Sequence, residues 1–104
     1  MTIQLNSDKN LTIHEAFRTQ LQDMLKDELD RYSEQITRVE AHLSDENGQK
    51  NAVNDKRCLL EARVQGLSPI AVSHMANNHE QAVMGAIEKL KASLESKLGR
   101  IQTH

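Results

Sequence analysis

The chain is short of aromatics: Phe17 and Tyr32 are the only two, and there is no tryptophan. RNA readers that stack bases need exposed aromatic rings, so that mode of recognition is excluded. Cysteine is almost missing. A lone Cys58 cannot close an internal disulfide, which fits a reducing compartment. The four glycines, Gly48, Gly66, Gly85 and Gly99, are scattered, so there is no glycine-rich phosphate loop. Neither HExxH nor CxxC occurs. No stretch approaches the roughly 18 apolar residues of a membrane span. The opening MTIQLNSDKN lacks the basic-then-apolar order of a secretory signal. A soluble, cytoplasmic protein is expected.

A global excess of positive charge is also lacking, with 13 Lys and Arg against 15 Asp and Glu. What is present is unevenness. Residues 12–48 carry 9 acids and 4 bases, whereas residues 56–104 carry 7 bases and 4 acids. The middle of the chain is acidic and the C-terminal half mildly basic. At 104 residues the chain has length for one domain and one modest core.

Apolar periodicity supplies the elements. Thr2 to Asn6 alternates, with Ile3 and Leu5 on one side, and reads as a first strand. Ser7 to Asn10 is turn chemistry. Thr12 with Glu15 three residues on forms a capping-box pattern. The helix that follows places Phe17, Leu21, Met24, Leu25 and Tyr32 near one face and Leu29 at its edge. Glu28, close to the apolar stripe, marks a place where this helix is expected to bend or fray. Ile36 to Ser44 switches to period two, with Val39, Ala41 and Leu43 inward and Arg38, Glu40 and His42 outward. Residues 45–55 read as a long mobile loop.

Arg57 to Gln65 alternates again, with Cys58, Leu60, Ala62 and Val64 inward. Gly66 to Pro69 makes a hairpin turn into a strand over Ile70 to Ala76. A long helix then runs from Asn77 to Arg100. Its apolar stripe is Val83, Ile87, Leu90, Leu94, Leu98 and Ile101, its N-cap Asn77 or Asn78, and its expected stop Gly99. The expected fold is α+β, in the order β-α-β-β-β-α. A four-stranded mixed sheet carries two helices on one face, and the other face is open to solvent.

Few of these residues suggest chemistry. The five histidines show no metal-ligand spacing, and His42 and His74 lie on opposite sheet faces. Cys58, inward by parity, reads as an inert buried thiol. No catalytic residue, cofactor or metal ligand is expected, and no small-molecule substrate. The feature with functional shape is on the last helix. Lys89, Lys97 and Arg100 fall on one flank of the apolar stripe, and Lys91 on the other. Cations in such a row can contact phosphates. From the physics alone the favoured reading is ordinary solubilising charge, with Lys97 and Arg100 complementing the helix dipole.

Three segments carry a family resemblance. Ala82-Val83-Met84-Gly85-Ala86-Ile87-Glu88-Lys89-Leu90 resembles a helix pattern A-[IV]-x-G-x-I-[DE]-K-L. Leu60 to Gly66 looks like the strand before it, and Glu15-Ala16-Phe17-Arg18 like the start of the first helix. Together with the element order, these resemble the ribosome hibernation-promoting factor family, also called ribosome-associated inhibitor or sigma-54 modulation protein. The resemblance implies a non-enzymatic factor that docks on the small ribosomal subunit, contacts 16S rRNA and silences idle ribosomes under stress or in stationary phase. It points to the short type, expected to be a monomer. It also makes Lys89, Lys97 and Arg100 the leading rRNA contacts, with Lys91, Arg18, Lys26 and Arg63 as additions.

The chain departs from the family pattern at Glu80, where an aromatic is usual, and at Asn78, where an acidic cap is usual. It also has outward acids at Asp23, Asp27 and Asp30 and no basic run at Gln102-Thr103-His104. A second reading follows from the acids: a diverged member that keeps the fold and binds a protein through its acidic helix or open sheet face.

Overall fold

A computed structural model describes residues 1–8, 11–46 and 55–102, the last three for their backbone only. The elements are β1 (Thr2–Ser7), α1 (Glu15–Leu29), a 3-10 turn (Asp30–Tyr32), β2 (Ile36–Asp45), β3 (Lys56–Val64), β4 (Ile70–Ala76) and α2 (His79–Gln102). The strands lie in the order β1-β2-β3-β4. β1 runs parallel to β2, and the other two pairings are antiparallel. The β-α-β-β-β-α order and the mixed sheet are those expected. The expected loop over 45–55 falls mostly, at 47–54, outside the described residues.

Register explains the two faces. Ile3, Val39 and Ala62 stand in one row across the sheet, and Leu5, Ala41, Leu60 and Val72 in the next. Alternation sends this set to the helix side and its neighbours to solvent. Against it pack Leu21, Leu25 and Leu29 of α1 and Ala82, Val83, Ala86, Ile87, Leu90 and Leu94 of α2, all fully buried. α1 lies against β1 and α2, and α2 lies across β3 and β4.

Helix boundaries differ from expectation at three places. α1 begins after His14, not Thr12, and has no side-chain cap. Leu11 and Ile13 are both partly buried against the core, and that alternation holds residues 11–14 extended. Leu29 is fully buried rather than marginal, and Tyr32 belongs to the 3-10 turn. The expected break near Glu28 falls one residue on, where α1 ends at Leu29 and gives way to the 3-10 turn; the Glu28 carboxylate accepts from Lys91 Nζ at 2.6 Å. α2 does not stop at Gly99 but continues to Gln102. Glycine in a helix costs about 1 kcal/mol, which the apolar seam upstream offsets. At the other end Asn78 is the cap, its Oδ1 accepting the Gln81 N–H at 2.8 Å.

One glycine is demanded by packing. A methyl group at Gly85 would fall inside the imidazole of His74, which lies on the backbone of α2 at that point. The glycine of the Ala82–Leu90 pattern makes room for a β4 side chain against α2. Gly66, at φ 76°, turns β3 into β4.

Candidate nucleic-acid interface

The seven candidate cations separate into three groups in space. Lys89 and Lys97 lie on α2. Lys89 is exposed, and its Nζ donates to the Ser73 carbonyl on the edge strand β4 at 2.8 Å. Lys97 is half-buried and forms no ion pair among the described residues. The Arg100 backbone continues α2 beyond Lys97, which keeps it on the same helix; its side chain lies outside the described residues.

Lys91 and Arg18 are engaged inside the molecule. Lys91 pairs with Glu28 across the helix–helix seam at 2.6 Å. Arg18 reaches back from α1 to β1, donating to the Leu5 carbonyl at 2.7 Å and to Ser7 Oγ at 3.5 Å. Its role is to fasten α1 over the first strand. Lys26 is exposed on α1 among Asp23, Asp30 and Gln22, so its charge is offset locally. Arg63 is exposed on the opposite side of the sheet, beside Arg38 and Pro69. It cannot share a phosphate track with the α2 lysines on one flat surface.

The remaining described cations also have carboxylate partners. Arg31 pairs with Glu95 at 2.8 Å and lies 5.0 Å from the Tyr32 ring centre. The Tyr32 hydroxyl donates to the same Glu95 carboxylate. Burial, then that hydrogen bond, raises the Tyr32 pKa. Lys56 sits between Asp45 and Asp55, at 3.0 and 2.9 Å, and those hydrogen bonds raise its pKa, Asp55 first. Arg38 pairs with Glu40, and Arg57 with Glu46. Thus Glu28 and Glu95 are both spent at the seam between the helices, and Lys89 and Lys97 of α2 are left without an ion pair among the described residues.

The acids of α1 are displayed. Asp23 and Asp27 are exposed and line a shallow groove with Ala16, Thr19, Gln20, Met24 and Glu28. Cys58 is fully buried, and desolvation raises its thiol pKa to about 12, so it is a core residue. His79, a residue not singled out from the sequence, is also buried. It donates from Nε2 to the Ser44 carbonyl at 3.1 Å and ties the start of α2 to the end of β2. Its position directly after two asparagine cap candidates is the one sequence hint of that role.

The family model for sigma 54 modulation protein / S30EA ribosomal protein matches residues 5–102. The chain belongs to this family. Sigma-54 modulation proteins of the S30EA family are ribosome-associated factors rather than known enzymes, and the chain is such a factor. A sequence search of curated proteins finds no match. Solved structures share the fold. The N-terminal domain of Thermus thermophilus Protein Y superimposes with a TM-score of 0.70 at 20% identity, covering 92% of this chain and 98% of that one. A ribosomal subunit interface protein from Coxiella burnetii gives a TM-score of 0.70 at 17% identity, covering 95% and 99%. In this S30EA member no helix among the described residues is long and apolar enough to cross a membrane.

Proposed function

We propose that the chain is a cytoplasmic hibernation factor that binds the small ribosomal subunit through rRNA phosphates and blocks translation there. The observation that carries this reading is the family match over residues 5–102, which spans both helices, β2 to β4 and the second half of β1. The geometry supports a particular mode. Lys89 and Lys97, continued by Arg100, form the track, because they lie on one helix and no carboxylate neutralises the two lysines among the described residues. Lys26 and Arg63 are peripheral contacts. Lys91 and Arg18 contribute mainly by holding α1 in place. Recognition is by charge and shape rather than base sequence, since no exposed aromatic offers a stacking surface.

The protein acts as a monomer, without cofactor or small-molecule substrate, and is made when ribosomes idle in stationary phase or under stress. Adding it to a cell-free translation reaction while following its co-sedimentation with 30S subunits tests the reading. Binding and inhibition are expected to rise together and to fall together in a Lys89→Ala/Lys97→Ala variant. A protein that stays in the supernatant at low salt and leaves translation untouched would overturn it.

A second reading has its own observation. Asp23 and Asp27 stand exposed along a groove, where they repel phosphate and suit a basic protein segment. On this reading the acids of α1 face a protein, and Asp23→Asn/Asp27→Asn abolishes recovery of that partner without changing the fold.

A further inference from the structure

The open face of the sheet holds a cluster that the helices do not explain. Glu40 of β2 and Glu61 of β3 are direct cross-strand partners. Like charges placed opposite each other weaken a sheet. His42 stands two residues beyond Glu40 on the same face, diagonal to Glu61. Its Nε2 lies 2.9 Å from Glu61 Oε1 and 3.9 Å from Glu40 Oε2. One donor atom from each of the three residues falls within 4.8 Å of the others.

We propose that Glu40, His42 and Glu61 form a site for one divalent transition-metal ion, with Zn²⁺ the best match. The donor set of one imidazole and two carboxylates suits zinc, whereas magnesium and calcium favour all-oxygen shells. Ligands at zinc bond lengths stand roughly 3.3 Å from one another in a tetrahedron. The observed 2.9 and 3.9 Å bracket that spacing, so rotation of the two carboxylates suffices.

A second observation comes from the imidazole itself. Nε2 of His42 is shielded from solvent and makes no hydrogen bond, although Glu61 Oε1 lies 2.9 Å away. A cation between the carboxylates would satisfy that nitrogen and cancel the Glu40–Glu61 repulsion.

The surroundings orient the ligands. Arg38 donates from Nε at 3.2 Å and Nη2 at 3.0 Å, both to Glu40 Oε1, which leaves Oε2 for the His42 side. The Asn6 amide is 3.5 Å from His42 Nδ1. A fourth ligand would come from water or from a donor on a partner. Nothing in this site involves the α2 lysines, so it stands or falls apart from the ribosome reading.

Isothermal titration of the full chain with ZnCl₂ alone tests it. One Zn²⁺ per chain is expected, with His42→Ala and Glu61→Gln each weakening binding at least tenfold and the exposed His14→Ala leaving it unchanged. Thermal melting supplies a second reading with a distinctive sign. Without metal, Glu61→Gln is expected to melt above the wild type, because the repulsion is gone; with Zn²⁺ only the wild type gains. The His42 ring resonances of the wild type should shift in step with the titration, a measurement that needs no variant to fold. Absence of Zn²⁺ binding by the wild type, binding that survives both substitutions, or titration without movement of the His42 ring signals would each overturn the site.

Discussion

α1 and α2 pack on the same face of the same sheet, yet they handle charge in opposite ways. α1 spends its one seam acid, Glu28, on Lys91 and shows Asp23 and Asp27 to solvent. α2 spends Glu95 on Arg31 and Tyr32 and leaves Lys89 and Lys97 without carboxylate partners among the described residues. Their ends differ as well. α2 starts on an Asn78 cap, whereas α1 starts at His14 with no side-chain cap. The contrast teaches that the core does not dictate what the outer faces do. Both helices pack into one interior, and what divides them is what remains outside.

The contrast can be broken first at the core. Leu25→Ala and Leu90→Ala both remove a fully buried leucine, and each is expected to cost about 3 kcal/mol in urea melts. A loss confined to one of them would mean that the two helices do not share the core evenly. Next comes the close approach unique to α2. Gly85→Ala drives a methyl into His74 and should cost about 2 kcal/mol, most of it recovered by adding His74→Ala. Gly99→Ala, which meets nothing within 4 Å, should instead gain up to about 1 kcal/mol by helix propensity.

The caps sharpen the comparison at a smaller scale. Asn78→Ala is expected to cost about 1 kcal/mol and His14→Ala to fall within about 0.5 kcal/mol of neutral, both read as melting shifts. The smallest effect at neutral pH belongs to Cys58. Its folded pKa, pushed up by burial to about 12, exceeds the unfolded value. The stabilisation is therefore complete below about pH 8.5 and is lost as pH rises from there toward 12. Cys58→Ala should flatten the alkaline decline in melting temperature, leaving the part due to Tyr32, whose pKa is also raised, above about pH 10.

Much of the fold was legible because period-two and period-3.6 patterns are direct images of burial. β4 spans Ile70–Ala76 as read, and the inward rows of β2 and β3 follow their parity. Ends were harder to read. The Thr12-to-Glu15 capping pattern lost to the half-buried pair Leu11 and Ile13, a tertiary effect that no local motif encodes. Gly99 failed as a stop because the apolar seam ahead of it carries the helix through.

The candidate interface was half legible. A helical wheel places Lys89, Lys97 and Arg100 together, but only tertiary contacts reveal that Lys91 and Arg18 are engaged and that Arg63 faces away. The Glu40–His42–Glu61 cluster was hidden for a related reason. The alternation put Glu40 and His42 on one face, yet Glu61 joins them only through the β2–β3 register.

The central claim is that the α2 lysines, not the α1 face, meet rRNA phosphate. Co-sedimentation with purified 30S subunits across a KCl series tests it most directly, comparing the wild type with Lys89→Ala/Lys97→Ala and with Asp23→Asn/Asp27→Asn. Wild-type binding should fall steeply with salt, and the lysine variant should bind more weakly with a slope shallower by roughly 1.5. The aspartate variant should bind as well as the wild type or better. A lysine variant that keeps the wild-type slope, or an aspartate variant that loses binding, would contradict the claim.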